Sequence, residues 1–136
     1  FSKNLVAEVE TAVTVSKHEV RIERQPFGLG PLYAWCDAAI ATSGLTKYEL
    51  AATGTPAVLV SIDDVHADLV GDFTAAGMAL DVGVGNLGSF QAAATKMQML
   101  LEDPGTRRIM TRRGLDTFDG EGADRLLDFF CEEIHV

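Results

Sequence analysis

The sequence predicts an α/β fold in which helices cover both faces of a parallel β-sheet. Three short apolar runs, at 38–41, 57–61 and 78–82, alternate with segments of helical pattern. A run that is apolar throughout suits a strand covered on both faces, as in a parallel sheet. Helices between successive strands indicate right-handed crossovers, and 136 residues suffice for one domain.

Composition excludes several classes of protein. Hydrophobic residues make up 47% and charged residues 23% of the chain, which are globular values. The net charge of −9 repels nucleic acid and anionic membranes, and no apolar run approaches the roughly 20 residues of a membrane span. No leader pattern follows Phe1, and Cys36 and Cys131 lack a metal spacing. We therefore expect a cytoplasmic protein with two buried free thiols.

The first forty residues predict two helices and two strands. Residues 2–11 have a helical pattern, and the alternation of Val and Ile with polar residues predicts a strand over 19–24. A connection rich in Gly and Pro follows, and residues 32–36 then predict one or two helical turns. The apolar run at 38–41 is the next strand.

The middle of the chain alternates helix and strand. Residues 46–53 predict a helix that opens on a capping box of Thr46 and Glu49 and ends at Gly54. The clearest strand, at 57–61, comes next. A loop over 62–65, a helix over 66–76 that ends at Gly77, and a strand over 78–82 complete this part.

Three helices close the sequence. Ser89 is the predicted N-cap of a helix that runs to Glu102, and Asp103 with Pro104 begins another over 104–113. The last helix spans 121–134. The apolar faces of the first and last of these helices comprise Phe90, Ala93, Met97, Leu100 and Leu101, and Leu126, Leu127, Phe130 and Ile134.

Two loops that leave strand ends predict a binding site. Ligands of parallel sheets bind outside the carboxyl ends of the strands, and the loops 42–46 and 61–66 both start there. The residues expected to lie close together are Ser43, Gly44, Thr46, Glu49, Asp63, Asp64 and His66.

The first loop has two interpretations. The turn at Gly44 and the helix start after it expose backbone N–H groups that suit an anion, and the hydroxyls of Ser43 and Thr46 add donors. Alternatively, Thr46 only caps the helix and Gly44 only permits the turn. Glu49 is likewise either the second member of the capping box or a ligand of sugar hydroxyls.

The second loop is also ambiguous. Asp64 suits a helix cap, and His66 suits a hydrogen bond to phosphate or sugar, a base, or a plain surface position. Asp63 and Asp64 together offer too few ligands for Mg²⁺, so we expect no metal. Residues 48–95 contain no Lys or Arg, which leaves Lys47 as the nearby cation. A phosphate here would depend on backbone dipoles or on cations from another domain.

The block from Cys36 to Ala57 resembles the C-terminal domain of GT-B-fold nucleotide-sugar enzymes. The shared pattern is an acidic residue, a short apolar strand, a turn at Ser43-Gly44, a Glu in the next helix, and Gly-Thr-Pro before the next strand. It is similar in particular to the UDP-sugar hydrolase of pseudaminic acid synthesis and to spore-coat polysaccharide glycosyltransferases. The likeness covers roughly residues 18–102.

The resemblance implies a Rossmann-like α/β/α domain over 1–136, the C-terminal half of a GT-B fold. It implies binding of a nucleotide sugar, with UDP as the nucleotide, in cytoplasmic polysaccharide synthesis. No cofactor is implied. By position, the turn and helix start would face the diphosphate, Glu49 the ribose, and the second loop the sugar. The implied binding residues are Ser43, Gly44, Leu45, Thr46, Glu49, Asp64, Val65 and His66.

The departures from the family pattern keep alternatives open. Ser43 replaces a glycine, and Val65 and His66 stand where Asn and Gln are usual. The family's catalytic histidine lies in an N-terminal domain, so the catalytic residues stay unassigned, and His66 is the only histidine here that is placed for chemistry. We expect the chain alone to be inactive. The alternatives are a non-catalytic sugar-nucleotide-binding module, and a protein-interaction module or homo-oligomer that uses the apolar face of the last helix.

Overall fold

A computed structural model describes residues 3–24 and 26–133 of the chain and contains a parallel sheet with flanking helices. The strands are β1 (Ala39–Thr42), β2 (Ala57–Ser61) and β3 (Ala79–Val84). The helices are α1 (Lys3–Thr14), α2 (Gly30–Trp35), α3 (Thr46–Ala52), α4 (Asp64–Asp68), α5 (Gly71–Ala75), α6 (Leu87–Glu102), α7 (Pro104–Thr117) and α8 (Gly122–Glu133).

The sheet has the strand order β1-β2-β3, and both pairs are parallel. Ala39 lies opposite Ala57, and Ala57 lies opposite Ala79, so the three strands start level with one another. All five residues of β2 are buried, because this strand is central and is covered on both faces. The α/β fold with a parallel sheet that the apolar runs predict is confirmed, and so is the Rossmann-like architecture that the resemblance implies.

The core lies where helices cross β2. Right-handed crossovers bring α3, α4 and α5 to one face of the sheet, while α6 packs on β2 and β3 from the other face. The fully buried Leu50 of α3, Leu59 of β2 and Leu100 of α6 belong to one apolar cluster. The helix α7 closes the domain by packing on α3, where Gly114 meets the backbone of Ala51.

Local sequence signals place several boundaries correctly. Gly54 and Gly77 adopt positive φ values of 69° and 67° where the helices before them end. Asp103 caps α7, since its carboxylate accepts from the N–H groups of Gly105 and Thr106. The helix predicted over 104–113 extends to Thr117 because its buried residues, Met110 and Gly114, continue the contact with the domain.

Other expectations were wrong. Residues 19–24 form no strand: they are exposed, and no strand of the described sheet pairs with them. The helix predicted over 66–76 is two short helices, of which α4 already begins at Asp64 inside the predicted loop. The N-cap of α6 is Asn86, and Ser89 is its partner in a capping box. Position 2, at the start of the first predicted helix, lies outside the described residues.

Apolar residues of α8 and α6 remain exposed. In α8, Leu126, Leu127 and Phe130 are about half exposed because the helix makes few contacts with the sheet domain, and the predicted Ile134 lies outside the described residues. In α6, Phe90 and Leu101 are exposed, whereas the other predicted stripe residues are at least partly buried. Both cysteines are free thiols, as expected, but Cys131 is exposed and Cys36 only partly buried.

Candidate functional site

The two predicted loops meet at the carboxyl edge of the sheet. The hydroxyls of Ser43 and Ser61 lie 2.8 Å apart, and Ser43 Oγ also lies 3.5 Å from the carbonyl oxygen of His66. The parallel register of β1 and β2 causes this meeting, since Thr42 lies opposite Val60. The loops 42–46 and 61–66 therefore lie side by side, as the topology argument predicts.

Ser43 is an internal part of this corner. Its side chain is only 1% exposed and bonds to Ser61, and its N–H donates to the carbonyl of Val60. Ser61 is itself fully buried. The serine that replaces the family's glycine thus joins the two loops, and its hydroxyl and amide are already engaged within the protein.

The next three residues have a different environment. Leu45 is 81% exposed, and Gly44 and Thr46 are partly exposed. Their N–H groups donate to no acceptor among the described residues. Leu45 occupies the N-cap position, and its side chain cannot accept a hydrogen bond. The start of α3 therefore presents free backbone donors at the edge where ligands of parallel sheets bind.

The predicted capping box does not form in α3. Thr46 lies inside the helix as its first residue, so it cannot be the N-cap. Glu49 is exposed, and its Oε2 accepts a hydrogen bond from the hydroxyl of Tyr33 at 3.1 Å. No described group bonds to the other oxygen of this carboxylate, Oε1. The capping interpretation of Glu49 was therefore wrong, and the side chain retains a free acceptor.

Tyr33 is a member of the site that the sequence interpretation missed. It belongs to α2, sixteen positions before Glu49, and no motif links the two residues. Partial burial, followed by the bond to Glu49, raises the pKa of the Tyr33 phenol above its ordinary value. The phenol is consequently a hydrogen-bond donor at neutral pH.

The second loop is organised by Asp63. As the N-cap of α4, its Oδ1 accepts from the N–H of His66 at 2.9 Å and lies 2.6 Å from His66 Nδ1. These two bonds from His66 lower the pKa of the Asp63 carboxyl. Because a carboxylate only accepts, Nδ1 carries the proton and Nε2 is the ring nitrogen left for another partner. The sequence interpretation assigned the cap to Asp64, one residue too late.

The remaining predicted residues of this loop face solvent. Asp64 and Val65 are exposed in the first turn of α4, and His66 is partly exposed beside them. Among the described residues, no group of three or more His, Cys, Asp or Glu side chains is placed to hold a metal ion. This side of the candidate site offers hydrogen-bonding groups and one histidine.

The nearby cation is directed away from the corner. Lys47 is 3% exposed, its Nζ donates to the carbonyl of Leu69 at 3.1 Å, and it lies 5.0 Å from the centre of the Tyr48 ring. It thus joins α3 to the end of α4. A phosphate at Gly44–Thr46 would contact backbone N–H donors. Residues 48–95 contain no lysine or arginine, so this segment supplies no cation to it.

A cavity of about 400 Å³ adjoins the same edge on the α6 side of the sheet. Thr42, Ser61 and Gly85 from the three strand ends line it, together with the apolar side chains of Ile40 and Phe90. The carboxyl edge therefore has a polar side toward α3 and an apolar side toward α6.

In the part of the chain that the structure describes, no helix is long and apolar enough to cross a membrane.

Neither a protein-family model nor a solved structure matches this chain significantly. Two curated proteins are similar to it. The spore coat polysaccharide biosynthesis protein SpsG of Bacillus subtilis (strain 168) is 26% identical over 122 residues, which cover 87% of this chain and 36% of that protein. The UDP-N-acetylglucosamine--N-acetylmuramyl-(pentapeptide) pyrophosphoryl-undecaprenol N-acetylglucosamine transferase of Alkalilimnicola ehrlichii (strain ATCC BAA-1101 / DSM 17681 / MLHE-1) is 34% identical over 105 residues, which cover 71% of this chain and 29% of that enzyme.

These relatives are glycosyltransferase-related, and the chain is glycosyltransferase-like in sequence and in its α/β fold. The expected resemblance to GT-B enzymes is confirmed at this coarser level. The chain spans about a third of the length of the curated relatives it matches.

Proposed function

We propose that this chain is the nucleotide-sugar-binding part of a glycosyltransferase of polysaccharide synthesis, with a UDP-sugar as donor. The observation that carries the proposal is the row of free amides at Gly44, Leu45 and Thr46 beside the Glu49 carboxylate. Amides at a helix start suit a diphosphate, and a carboxylate accepts hydrogen bonds from the hydroxyls of a ribose. The names of both relatives, which concern polysaccharide synthesis and the transfer of a sugar from UDP-N-acetylglucosamine, support this reading.

The proposed chemistry is a displacement at the anomeric carbon. The acceptor oxygen gives its proton to a base of the N-terminal domain and forms a bond to this carbon. The bond between the carbon and the diphosphate oxygen breaks, and the electron pair of that bond leaves with the diphosphate. The amides of Gly44, Leu45 and Thr46 stabilise the charge that develops on this leaving group. With water as acceptor, the same step is a hydrolysis.

The second loop would contact the sugar. Asp64, Val65 and His66 form the exposed first turn of α4, and the backbone of His66 is joined to the diphosphate corner through Ser43. In this proposal the buried Ser43 shapes the corner and does not itself reach the diphosphate. The acid or base, and the cations that balance the diphosphate, come from an N-terminal domain of the full-length protein.

Calorimetric titration of the full-length protein with UDP and with UDP-sugars tests the proposal. We expect binding in the wild type and at least about tenfold weaker binding in Glu49→Ala, since charge-assisted hydrogen bonds are lost. Asp68→Asn is the matched control because it removes an exposed acid from the same region. Failure of the wild-type protein to bind UDP or any UDP-sugar would contradict the proposal.

A second candidate function rests on α8. The exposed Leu126, Leu127, Phe129 and Phe130 of this helix favour a module that contacts another protein or a second copy of this chain. Sedimentation velocity of wild type and Phe130→Asp distinguishes this alternative. A concentration-dependent dimer that Phe130→Asp abolishes would support it.

A further inference from the structure

Tyr33 is anchored at both its backbone and its side chain. Its carbonyl accepts a hydrogen bond of 2.8 Å from the hydroxyl of the buried Thr55, and its ring packs against the apolar core. Its hydroxyl donates to Glu49 Oε2 at 3.1 Å. The phenol therefore occupies a position fixed by α2 and by the segment that precedes β2.

Glu49 would lack this restraint without Tyr33. A glutamate on an exposed helix surface samples several rotamers, and holding such a side chain in one of them costs conformational entropy. The bond from Tyr33 selects one rotamer before any ligand arrives. Oε2 accepts the bond from Tyr33, whereas Oε1 has no hydrogen bond among the described residues and keeps both of its lone pairs.

We propose that Tyr33 is a positioning residue that makes Glu49 select a nucleotide with an intact pair of ribose hydroxyls. One oxygen with two lone pairs accepts from two neighbouring hydroxyls when its carboxylate is held in place. A rotating carboxylate bonds to either hydroxyl alone and discriminates less. This inference rests on the proposed function, because it presumes that the ribose lies at Glu49.

Tyr33→Phe in the full-length protein tests the inference with two probes, UDP and 2′-deoxy-UDP. Loss of one hydrogen bond, typically about 1 kcal/mol, predicts roughly threefold to tenfold weaker binding of UDP. The preference for UDP over 2′-deoxy-UDP should shrink, which a purely structural role of Tyr33 would not cause. Tyr48→Phe is the matched control, because the Tyr48 hydroxyl has no hydrogen bond among the described residues, and it should retain both affinities.

A double-mutant cycle with Glu49→Ala completes the test. If Tyr33 acts through Glu49, Tyr33→Phe has little further effect once Glu49→Ala is present. Equal losses for both probes, or losses that add to those of Glu49→Ala, would overturn the role of Tyr33. Unchanged binding in Tyr33→Phe, with weak binding in Glu49→Ala, would also overturn it while the proposed function stands. A wild-type protein that binds no UDP would overturn both.

Discussion

Two helices begin side by side at the carboxyl edge of this sheet, and their first turns differ. At α4, the Asp63 carboxylate accepts the N–H of His66, so the protein itself uses a donor of that turn. At α3, the Leu45 side chain offers no acceptor, and the amides of Gly44, Leu45 and Thr46 donate to none of the residues that the structure describes. Donors for a ligand thus remain where the sequence omits a cap, which is why we propose that the diphosphate binds at α3.

The two helices also depend on different forces. No residue of α4 is buried, so its cap is the main local interaction that the structure provides. By contrast, α3 buries Leu50 and Ala51 against the core and against α7. An uncapped helix start is thus tolerated in α3 because packing fixes the helix that carries it.

The largest expected effect comes from removing that packing. Leu50 is 1% exposed, so Leu50→Ala should lower the free energy of unfolding by about 2–5 kcal/mol through lost burial and a cavity. Chemical denaturation measures this change. Leu45→Ala is the control at the exposed uncapped position and should stay within about 0.5 kcal/mol of wild type. Comparable losses in both variants would mean that the start of α3 is not held by packing.

A smaller destabilisation is expected where α7 supports α3. A Cβ added at Gly114 would lie 2.7 Å from the carbonyl oxygen of Ala51, which is backbone and cannot rotate away. Gly114→Ala should therefore cost about 1–3 kcal/mol, measured in the same denaturation experiment. Gly71→Ala is the control, because a Cβ there meets no atom within 4 Å. If both substitutions are neutral, the contact between α3 and α7 does not hold the site.

The sequence predicts the fold better than it predicts the site. The apolar run of β2, the glycines at 54 and 77, and Asp103-Pro104 are local signals, and each lies within about one residue of the feature it predicts. The alternation over 19–24 is also a local pattern, yet these residues are exposed and form no strand. A strand needs a partner as well as a pattern, and the pattern does not supply one.

The site shows the same limit at the scale of single side chains. Topology alone predicts that Ser43 lies near His66, because parallel strands end at one edge. The bond between Tyr33 and Glu49 depends on where α2 lies relative to α3, and spacing in the sequence does not encode that. The capping box predicted at Thr46 was wrong for a related reason. The sequence contains the residue types of the motif, but α3 begins at Thr46 itself, one residue earlier than the motif requires.

A charge placed at the uncapped start distinguishes the two helices by function. Leu45→Asp adds a carboxylate beside the free amides at a side chain that is 81% exposed, so the fold should remain stable. A diphosphate would be repelled, and we expect roughly tenfold weaker UDP binding in calorimetry at low salt, equivalent to about 1.4 kcal/mol. The loss should decrease at high salt. Leu45→Asn is the uncharged control, and equal binding by Leu45→Asp and Leu45→Asn would contradict the assignment of the diphosphate to α3.

The smallest expected effect concerns the capped helix and its dependence on pH. The pKa of Asp63 is lowered in the folded protein, so its ionised form stabilises the fold above its unfolded pKa of about 3.9. This contribution is lost as the pH falls through the folded value. Asp63→Ala should therefore lower the melting temperature at pH 5, by less than Gly114→Ala does, and the difference from wild type should shrink below about pH 4.

Asp63→Asn is the control: it keeps an acceptor at the cap, so its melting temperature at pH 5 should lie between those of wild type and Asp63→Ala. If the difference between wild type and Asp63→Ala is the same at pH 3 and pH 5, the ionised cap does not stabilise α4, and the contrast between the two helix starts loses its physical basis.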